Sequence, residues 1–291
     1  MAALIETKER LGSTRDTHKI TKSLQLVAAS RMKYYQKKAV AVRTFSEEIL
    51  QQMRLAGSSS FDDRFTKGNT NGKRLFVIIT SNKGLCGNLN QRVLKQLFTS
   101  AVWQQTSEED RAVITIGKKS TDAMRRLNIP TIARFPTVLE TLDPLGALAV
   151  IDKIIKPWED GLYGEVYLVY PRYISPFVNE PTVKKYLPYE KSLPNTETSA
   201  ESAQLPVYLE PSPEAVREAL WHQFIQMLFV TGFYEMKASE YSSRMIAMKK
   251  ATDAAQEMID TLTLELNKAR QAKITQELAE LAGASLAEEE D

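Results

Sequence analysis

MKKATDAAQEMIDTLTLELNKARQA, residues 248–272, places Met248, Ala251, Ala255, Met258, Leu262, Leu266, Ala269 and Ala272 at steps of three and four. Steps averaging close to 3.5 mark a helix that lays one seam against another helix. The many alanines on this seam let two backbones approach closely, at the expense of buried area per turn. Upstream, Ser212-Pro213-Glu214 reads as a helix start: an N-cap hydroxyl, proline at the first helical position and an acid in the first turn. No proline follows Pro213. A helix unbroken from there to about Leu286 would be roughly 110 Å long.

A helix of that length needs a partner, and the other terminus supplies one. Residues 2–56 contain no proline, and their only glycine is Gly12. Apolar residues recur at Leu4, Leu11, Ile20, Leu24 and Val27, then at Tyr35, Ala39, Val42, Phe45, Ile49 and Met53, mostly at the helical period. This helix would be roughly 80 Å long. The two terminal helices are expected to pair antiparallel, with a globular domain at one end of the rod.

The intervening residues alternate between strand and helix. Arg74–Thr80 (RLFVIIT), Ala112–Ile116 (AVITI) and Glu165–Tyr170 (EVYLVY) are short β-branched runs, and Thr182–Leu187 reads as an edge strand. Helical stretches are expected near Leu89–Trp103, Ser120–Leu127 and Leu145–Trp158, which implies a mainly parallel, three-layer sheet. Gly57–Gly72 reads as a linker, and 188–206, with its prolines, serines and threonines, as an exposed loop. The expected fold is therefore α/β: a long antiparallel coiled coil of N- and C-terminal helices with an inserted α/β, Rossmann-like domain. The domains expected are 1–57 and 211–287 as shaft helices, 73–210 as the globular domain and 288–291 as an acidic tail.

Composition narrows the chemistry. With 43% hydrophobic and 25% charged residues the chain can bury an ordinary core, and a formal charge of +2 points to no particular partner. The distribution of charge is more telling. Lys19–Arg43 holds seven Lys/Arg and no acid, whereas Glu277–Asp291 holds six acids and no base. Cys86 is the only cysteine and the two histidines, His18 and His222, are far apart, so no disulfide, Cys-x-x-Cys motif or His-rich metal site is expected. No run approaches 18 apolar residues, which excludes a membrane-spanning helix. The Met1-Ala2 start argues against a signal or transit peptide already removed.

Two glycine turns bear on nucleotide binding. Lys83-Gly84-Leu85-Cys86-Gly87-Asn88 follows a strand and opens a helix, as a phosphate cradle can. It lacks the G-x-x-x-x-G-K-S/T pattern, so tight-turn glycines with Asn88 as a helix cap are the simpler reading. Gly117-Lys118-Lys119-Ser120 has Ala112 where a P-loop needs its first glycine and Lys119 where it needs Ser or Thr. No catalytic, cofactor-binding or metal site is expected. The basic helix lacks base-stacking aromatics beyond Tyr34 and Tyr35, which argues against nucleic acid.

Three segments carry a family resemblance: KITKSLQLVAASRMK at 19–33, TSNKGLCGNLN at 80–90, and SRMIAM at 243–248 with NKARQAKITQELAE at 267–280. They resemble the γ subunits of F-type ATP synthases, and the family pattern covers essentially the whole chain. The resemblance implies a non-catalytic central rotor. The coiled coil would turn inside a ring of α and β subunits. The globular domain would lie below it, with ε, on a membrane ring of c subunits; δ belongs to the same complex. Ion flow through the ring would drive ATP synthesis at the β subunits, or hydrolysis would drive the shaft in reverse.

By the same resemblance Arg244, Gln271 and Thr275 match positions with polar contacts to the β ring, Leu24 matches one that faces it, and the acid-free stretch containing Lys33 faces an acidic β loop. No cofactor is implied. The expected location is the cytoplasmic face of a bacterial inner membrane, with the mitochondrial matrix side as the alternative. Chloroplast members carry a cysteine pair for thiol regulation; Cys86 stands alone, so no redox switch is expected. The tail Glu288–Asp291 departs from the family's small apolar tip, and is expected to protrude or to be disordered because unpaired acids are costly to bury. Two other readings remain: an α/β enzyme with a helical arm, and a generic coiled-coil scaffold.

Overall fold

A computed structural model describes residues 2–55, 65–69, 72–136, 144–190 and 209–289. The elements are α1 (Ala2–Leu55), β1 (Arg74–Ile79), α2 (Leu89–Thr99), α3 (Ala101–Gln105), β2 (Arg111–Ile116), α4 (Lys118–Arg126), β3 (Ala133–Phe135), α5 (Pro144–Glu159), β4 (Glu165–Tyr173), β5 (Asn179–Leu187) and α6 (Pro213–Glu289). They form two compact units: residues 1–29 with 244–291, and residues 30–243.

The larger unit is built on one sheet, ordered β3-β2-β1-β4-β5. The first four strands run parallel and β5 returns antiparallel beside β4. β1 is central, and its continuous apolar run is what a strand covered on both faces requires. Alternation sends Leu75, Val77 and Ile79 to one face and Phe76 and Ile78 to the other. The first face is covered by α5, through Val150, Ile154 and Trp158, and by α6, through Trp221, Phe224, Phe229 and Met236, with Ile49 and Met53 of α1 joining them. The second is covered by α2, α3 and α4 through Val93, Leu97, Trp103 and Met124. This is the expected mixed, three-layer arrangement.

Differences from expectation are local. β3, only three residues long, carries too little apolar run to be visible in the sequence. The helix expected over Leu89–Trp103 breaks at Ser100, whose extended backbone and side-chain cap to the Trp103 N–H start α3. Gly57–Gly72 is not all linker. Phe65 is buried at 1% exposure, with its ring edge-on to His222 at 5.0 Å and its carbonyl accepting from the Tyr189 N–H at 2.7 Å. The Asn69 amide donates to the Trp158 and Tyr163 carbonyls. Ser212 caps α6 as expected, its hydroxyl accepting from the Ala215 N–H at 3.2 Å. The loop expected over 188–206 lies outside the described residues from 191 onward, as do the last two residues of the acidic tail.

In the smaller unit α1 and α6 pair antiparallel. Thr14 meets Met258, and seven residues further along α1 the hydroxyl of Thr252 donates to that of Thr21 at 2.9 Å. Within this unit α1 is buried or half-buried at Leu4, Thr7, Leu11, Thr14, His18, Thr21, Gln25 and Ala28, alternating by three and four, and at Ala29. In this unit Met248, Thr252, Ala255, Ile259, Leu262, Leu266 and Ala269 of α6 are buried or half-buried at the same spacing, with residues 244–247, Ala251 and Thr263 half-buried beside them. Both follow the heptad of a helix pair.

The seam expected from apolar residues alone is corrected here. Ile20, Leu24 and Val27 are exposed at 60%, 36% and 57%, and Met258 at 56%. Threonine, histidine, glutamine and alanine occupy the α1 seam in their place from residue 14 to residue 28. Thr14, Thr21 and Thr252 each bond a carbonyl three or four residues back.

Candidate functional site

The sheet's C-terminal edge is where an open α/β fold usually binds a ligand, and here it is filled by the protein itself. α4 opens behind Gly117, whose φ of +98° suits only glycine. The N–H groups of its first turn point back at the end of β1. Lys118 donates to Asn82 Oδ1 at 3.0 Å, Lys119 to the Ser81 carbonyl at 3.1 Å and Ser120 to Thr80 Oγ1 at 2.7 Å. A helix N-terminus binds anions through free N–H groups, and these three are taken. The Gly117-Lys118-Lys119-Ser120 segment is thus a capped turn.

The neighbouring turn is held from within. Asn88 stands at the cap of α2, but its side chain makes no cap bond, contrary to expectation. Asn90, one residue inside the helix, does the holding: Oδ1 accepts from the Ser81 N–H at 3.0 Å, while Nδ2 donates to Ser81 Oγ at 2.8 Å and to Cys86 Sγ at 3.4 Å. Cys86 is buried at 2% exposure, whereas Leu85 is 63% exposed in a left-handed backbone conformation with φ of 61°. The bonds around Asn90 offset what that conformation costs, about 1–2 kcal/mol.

A polar cavity of about 410 Å³ opens at the opposite, N-terminal edge of the parallel strands, lined in part by Asn69, Gly72, Arg74, Glu165, Lys185 and Glu190. Glu165 accepts from Arg74 Nε at 2.6 Å, Lys185 Nζ at 2.8 Å and the Tyr167 hydroxyl at 3.0 Å. Burial alone would raise the Glu165 carboxyl; the hydrogen bonds from Lys185, Arg74 and Tyr167 outweigh it and hold the group below its ordinary range. Lys185, which also pairs with Glu190, is raised despite burial by these two carboxylates. Burial first, then Glu165, pushes the Tyr167 phenol up to about 12. The cluster is saturated, ties β1, β4 and β5 together, and offers a ligand no unpaired charge. Among the described residues no group of His, Cys, Asp or Glu could hold a metal, and no helix is long and apolar enough to cross a membrane.

Surfaces remain as the candidate sites. In the smaller unit Ile20, Leu24 and Val27 form an exposed apolar stripe at helical spacing, turned away from the seam. Arg244 is half-buried on α6. Gln271 and Thr275 share one face, Thr275 Oγ1 donating to the Gln271 carbonyl at 3.0 Å. Every residue from Gln271 to Ala279 is exposed, Ala272 included. Four of the five expected contact residues therefore lie in the smaller unit without forming one cluster. Lys33 belongs to the larger unit and is exposed. Among the described residues Lys22, Arg31, Lys33 and Lys37 have no acidic partner within 4.0 Å. The outward stripe at Ile20 and Val27 was missed by sequence reasoning; its signal is the polar heptad that excludes these residues from the seam.

Paired terminal helices around an inserted α/β sheet, with a self-filled ligand edge and unpartnered outer faces, define a subunit built to contact other chains. A family model described as ATP synthase matches residues 3–287. The chain is 33% identical over 287 residues to an ATP synthase gamma chain of Ruminococcus albus, covering 98% of this chain and 99% of that one. It is 32% identical over 289 residues to that of Pelotomaculum thermopropionicum, covering 99% of each. The fold is similar to a chain of the Euglena gracilis mitochondrial ATP synthase, in a structure of its OSCP, F1 and c-ring, with a TM-score of 0.66 at 21% identity over 98% of this chain and 94% of that one. The chain belongs to the ATP synthase gamma-chain family.

Proposed function

We propose that this chain is the central rotor stalk of an F-type ATP synthase and does no chemistry itself. The observation that carries the reading is family membership over essentially the full length, together with terminal helices that pair with each other and leave apolar and basic faces outward. The capped first turn of α4 and the saturated Glu165 cluster support the non-catalytic part, since neither leaves a group poised to act on a substrate.

The partners are α, β, ε and δ subunits and a c-ring, and the paired terminal helices turn within the α/β ring. A ligand shifts an equilibrium only by its differential affinity for the states. A shaft does the same to the β subunits by presenting a different face to each. Each elementary charge crossing 100 mV supplies about 2.3 kcal/mol, while one exposed ion pair is worth about 0–1 kcal/mol. Torque is therefore spread over many contacts, among them Leu24, Lys33, Arg244, Gln271 and Thr275. Residues 1–57 and 211–287 form the shaft, 73–210 the base, and 288–291 an acidic tail. The site of action is the cytoplasmic face of a bacterial inner membrane, in keeping with the bacterial relatives.

Reconstitution tests this. Thr275→Cys is combined with α and β subunits carrying one cysteine on the facing β surface, and ATP turnover is followed before and after oxidation. Hydrolysis that depends on the chain and is reversibly blocked by the cross-link supports the shaft. Absence of a complex, or ATP hydrolysis by the chain alone, defeats it.

A further inference from the structure

One face of α6 grips the sheet through a row of polar contacts that core packing does not require. The Tyr186 hydroxyl of β5 donates to the Ile225 carbonyl at 2.7 Å. One heptad on, the Tyr170 ring of β4 lies against the backbone at Gly232, where a Cβ would already touch it at 3.4 Å. Burial first, then the Glu235 carboxylate, raises the Tyr170 phenol, and Glu235 pairs with Arg43 of α1. Ser239 Oγ donates to the Pro171 carbonyl at 3.0 Å, Ser242 Oγ donates to the Pro176 carbonyl, and Asn179 Nδ2 donates to Ser243 Oγ at 3.0 Å. Asn179 is itself fixed by the Arg92 guanidinium. The positions on α6 (225, 232, 235, 239, 242) advance by seven, three, four and three, which is a single helix face.

Ser239 and Ser242 are 0% exposed and Glu235 is 4% exposed. Hydroxyls and a carboxylate at core positions are costly unless they are bonded, and here each is bonded across to another element. Pro171 explains why Ser239 is needed. It faces Pro181, which has no N–H, and lies beyond Val169, the last β4 residue paired with β1. No strand donor reaches its carbonyl, and the serine hydroxyl supplies one.

Apolar burial is non-directional, so a greasy helix face resists separation better than it resists rolling. Hydrogen bonds are directional. A roll of about 20° moves an oxygen about 5 Å from the helix axis by nearly 2 Å, which takes a 3.0 Å contact out of bonding range. We propose that this row of contacts is a clutch: it stops α6 turning about its own axis against the sheet, so that torque delivered to the sheet domain is passed into the helix.

The inference rests on the rotor reading, and its test separates the two. The triple variant Tyr186→Phe, Ser239→Ala, Ser242→Ala, which removes three of these bonds, is assembled into the complete ATP synthase in membrane vesicles, and ion pumping per ATP hydrolysed is measured beside wild type. Each lost hydrogen bond shifts a docked–slipped equilibrium about fivefold, so three shift it about a hundredfold. From a wild-type docked-to-slipped ratio of about 100:1 this leaves about half the molecules docked, so the expected result is near-normal hydrolysis with pumping per ATP reduced by about half. A control, Met124→Ala, truncates a buried residue of α4 on the opposite face of the sheet; it lowers thermal stability and leaves the pumping ratio intact. Should the triple variant fail to fold, the single variants Ser239→Ala and Ser242→Ala are expected to lower the ratio in part. An unchanged ratio in the triple variant, or in both singles, overturns the clutch, as does an equal loss in the control. Failure of the wild-type chain to support coupled pumping at all overturns the rotor reading instead.

Discussion

Truncating Leu11 and Ile20 to alanine tests the helix pairing of the smaller unit. The substitutions remove similar volumes from the same helix, yet the structure gives them very different weights. Leu11 is 5% exposed on the seam. Leu→Ala at a buried position costs about 2–5 kcal/mol, and a two-helix seam can partly collapse, so about 2 kcal/mol is expected. Ile20 is 60% exposed. Only about two-fifths of its roughly 1.5–3 kcal/mol of burial is realised, and alanine returns some tenths of a kcal/mol through higher helix propensity. The net cost is about 0.5 kcal/mol or less. Amide hydrogen exchange on the intact chain reads each segment separately, which a single melting temperature does not. Leu11→Ala should raise exchange across the first turns of α1 and the facing part of α6 about thirtyfold, and Ile20→Ala by less than about threefold. In an assembly assay with α and β subunits the order reverses if the outward stripe meets the ring, Ile20→Ala then weakening association despite its unchanged stability. Equal protection loss in the two variants would place Ile20 on the seam and refute the register read from Thr21 and Thr252.

Three further outcomes are expected. Asn90→Ala leaves the buried Ser81 N–H without its acceptor, which costs about 1–3 kcal/mol, and frees the turn over Cys86; denaturant titration and the rate of thiol labelling should both move. Glu165 sits below its ordinary range, so its contribution is present above the normal carboxylate pKa and is lost as pH falls through the lowered value; Glu165→Gln should flatten the acid side of a stability–pH profile. Tyr167 is raised, so its contribution is whole below pH 10 and lost as pH rises towards about 12, and Tyr167→Phe should remove that alkaline limb in the same profile.

The fold was largely legible because its main signals are long. Fifty-odd residues without proline, and seventy-odd after Pro213, specify helices whatever their packing, and the β-branched run at Leu75–Ile79 is what a doubly covered central strand demands. β3 was not legible, since three residues at a sheet edge carry no period. The candidate contact surface was legible only through family resemblance. Gln271 and Thr275 are ordinary polar residues on a helix, and nothing in their spacing distinguishes a partner's face from a solvated one.

The seam was misread for a reason that bears on what these helices do. Apolar residues mark the buried face of a helix whose partner is in the same chain and whose other face meets water. On α1 the assignment is inverted over residues 14–28: hydroxyls and alanine lie inside at Thr14, Thr21 and Ala28, and isoleucine, leucine and valine outside at Ile20, Leu24, Leu26 and Val27. A lone helix pair would be made more stable by exchanging the two sets, each buried aliphatic side chain contributing about 1.5–3 kcal/mol. A surface that must meet several partners in turn is served by the arrangement seen. Its apolar residues are free to engage whichever chain surrounds it, and its inner seam needs only enough cohesion to keep two backbones together. If the outward stripe meets partner chains as proposed, the polar heptad and the stripe are one design: stability given up inside the pair leaves the contact chemistry on the outside, where rotation can present it.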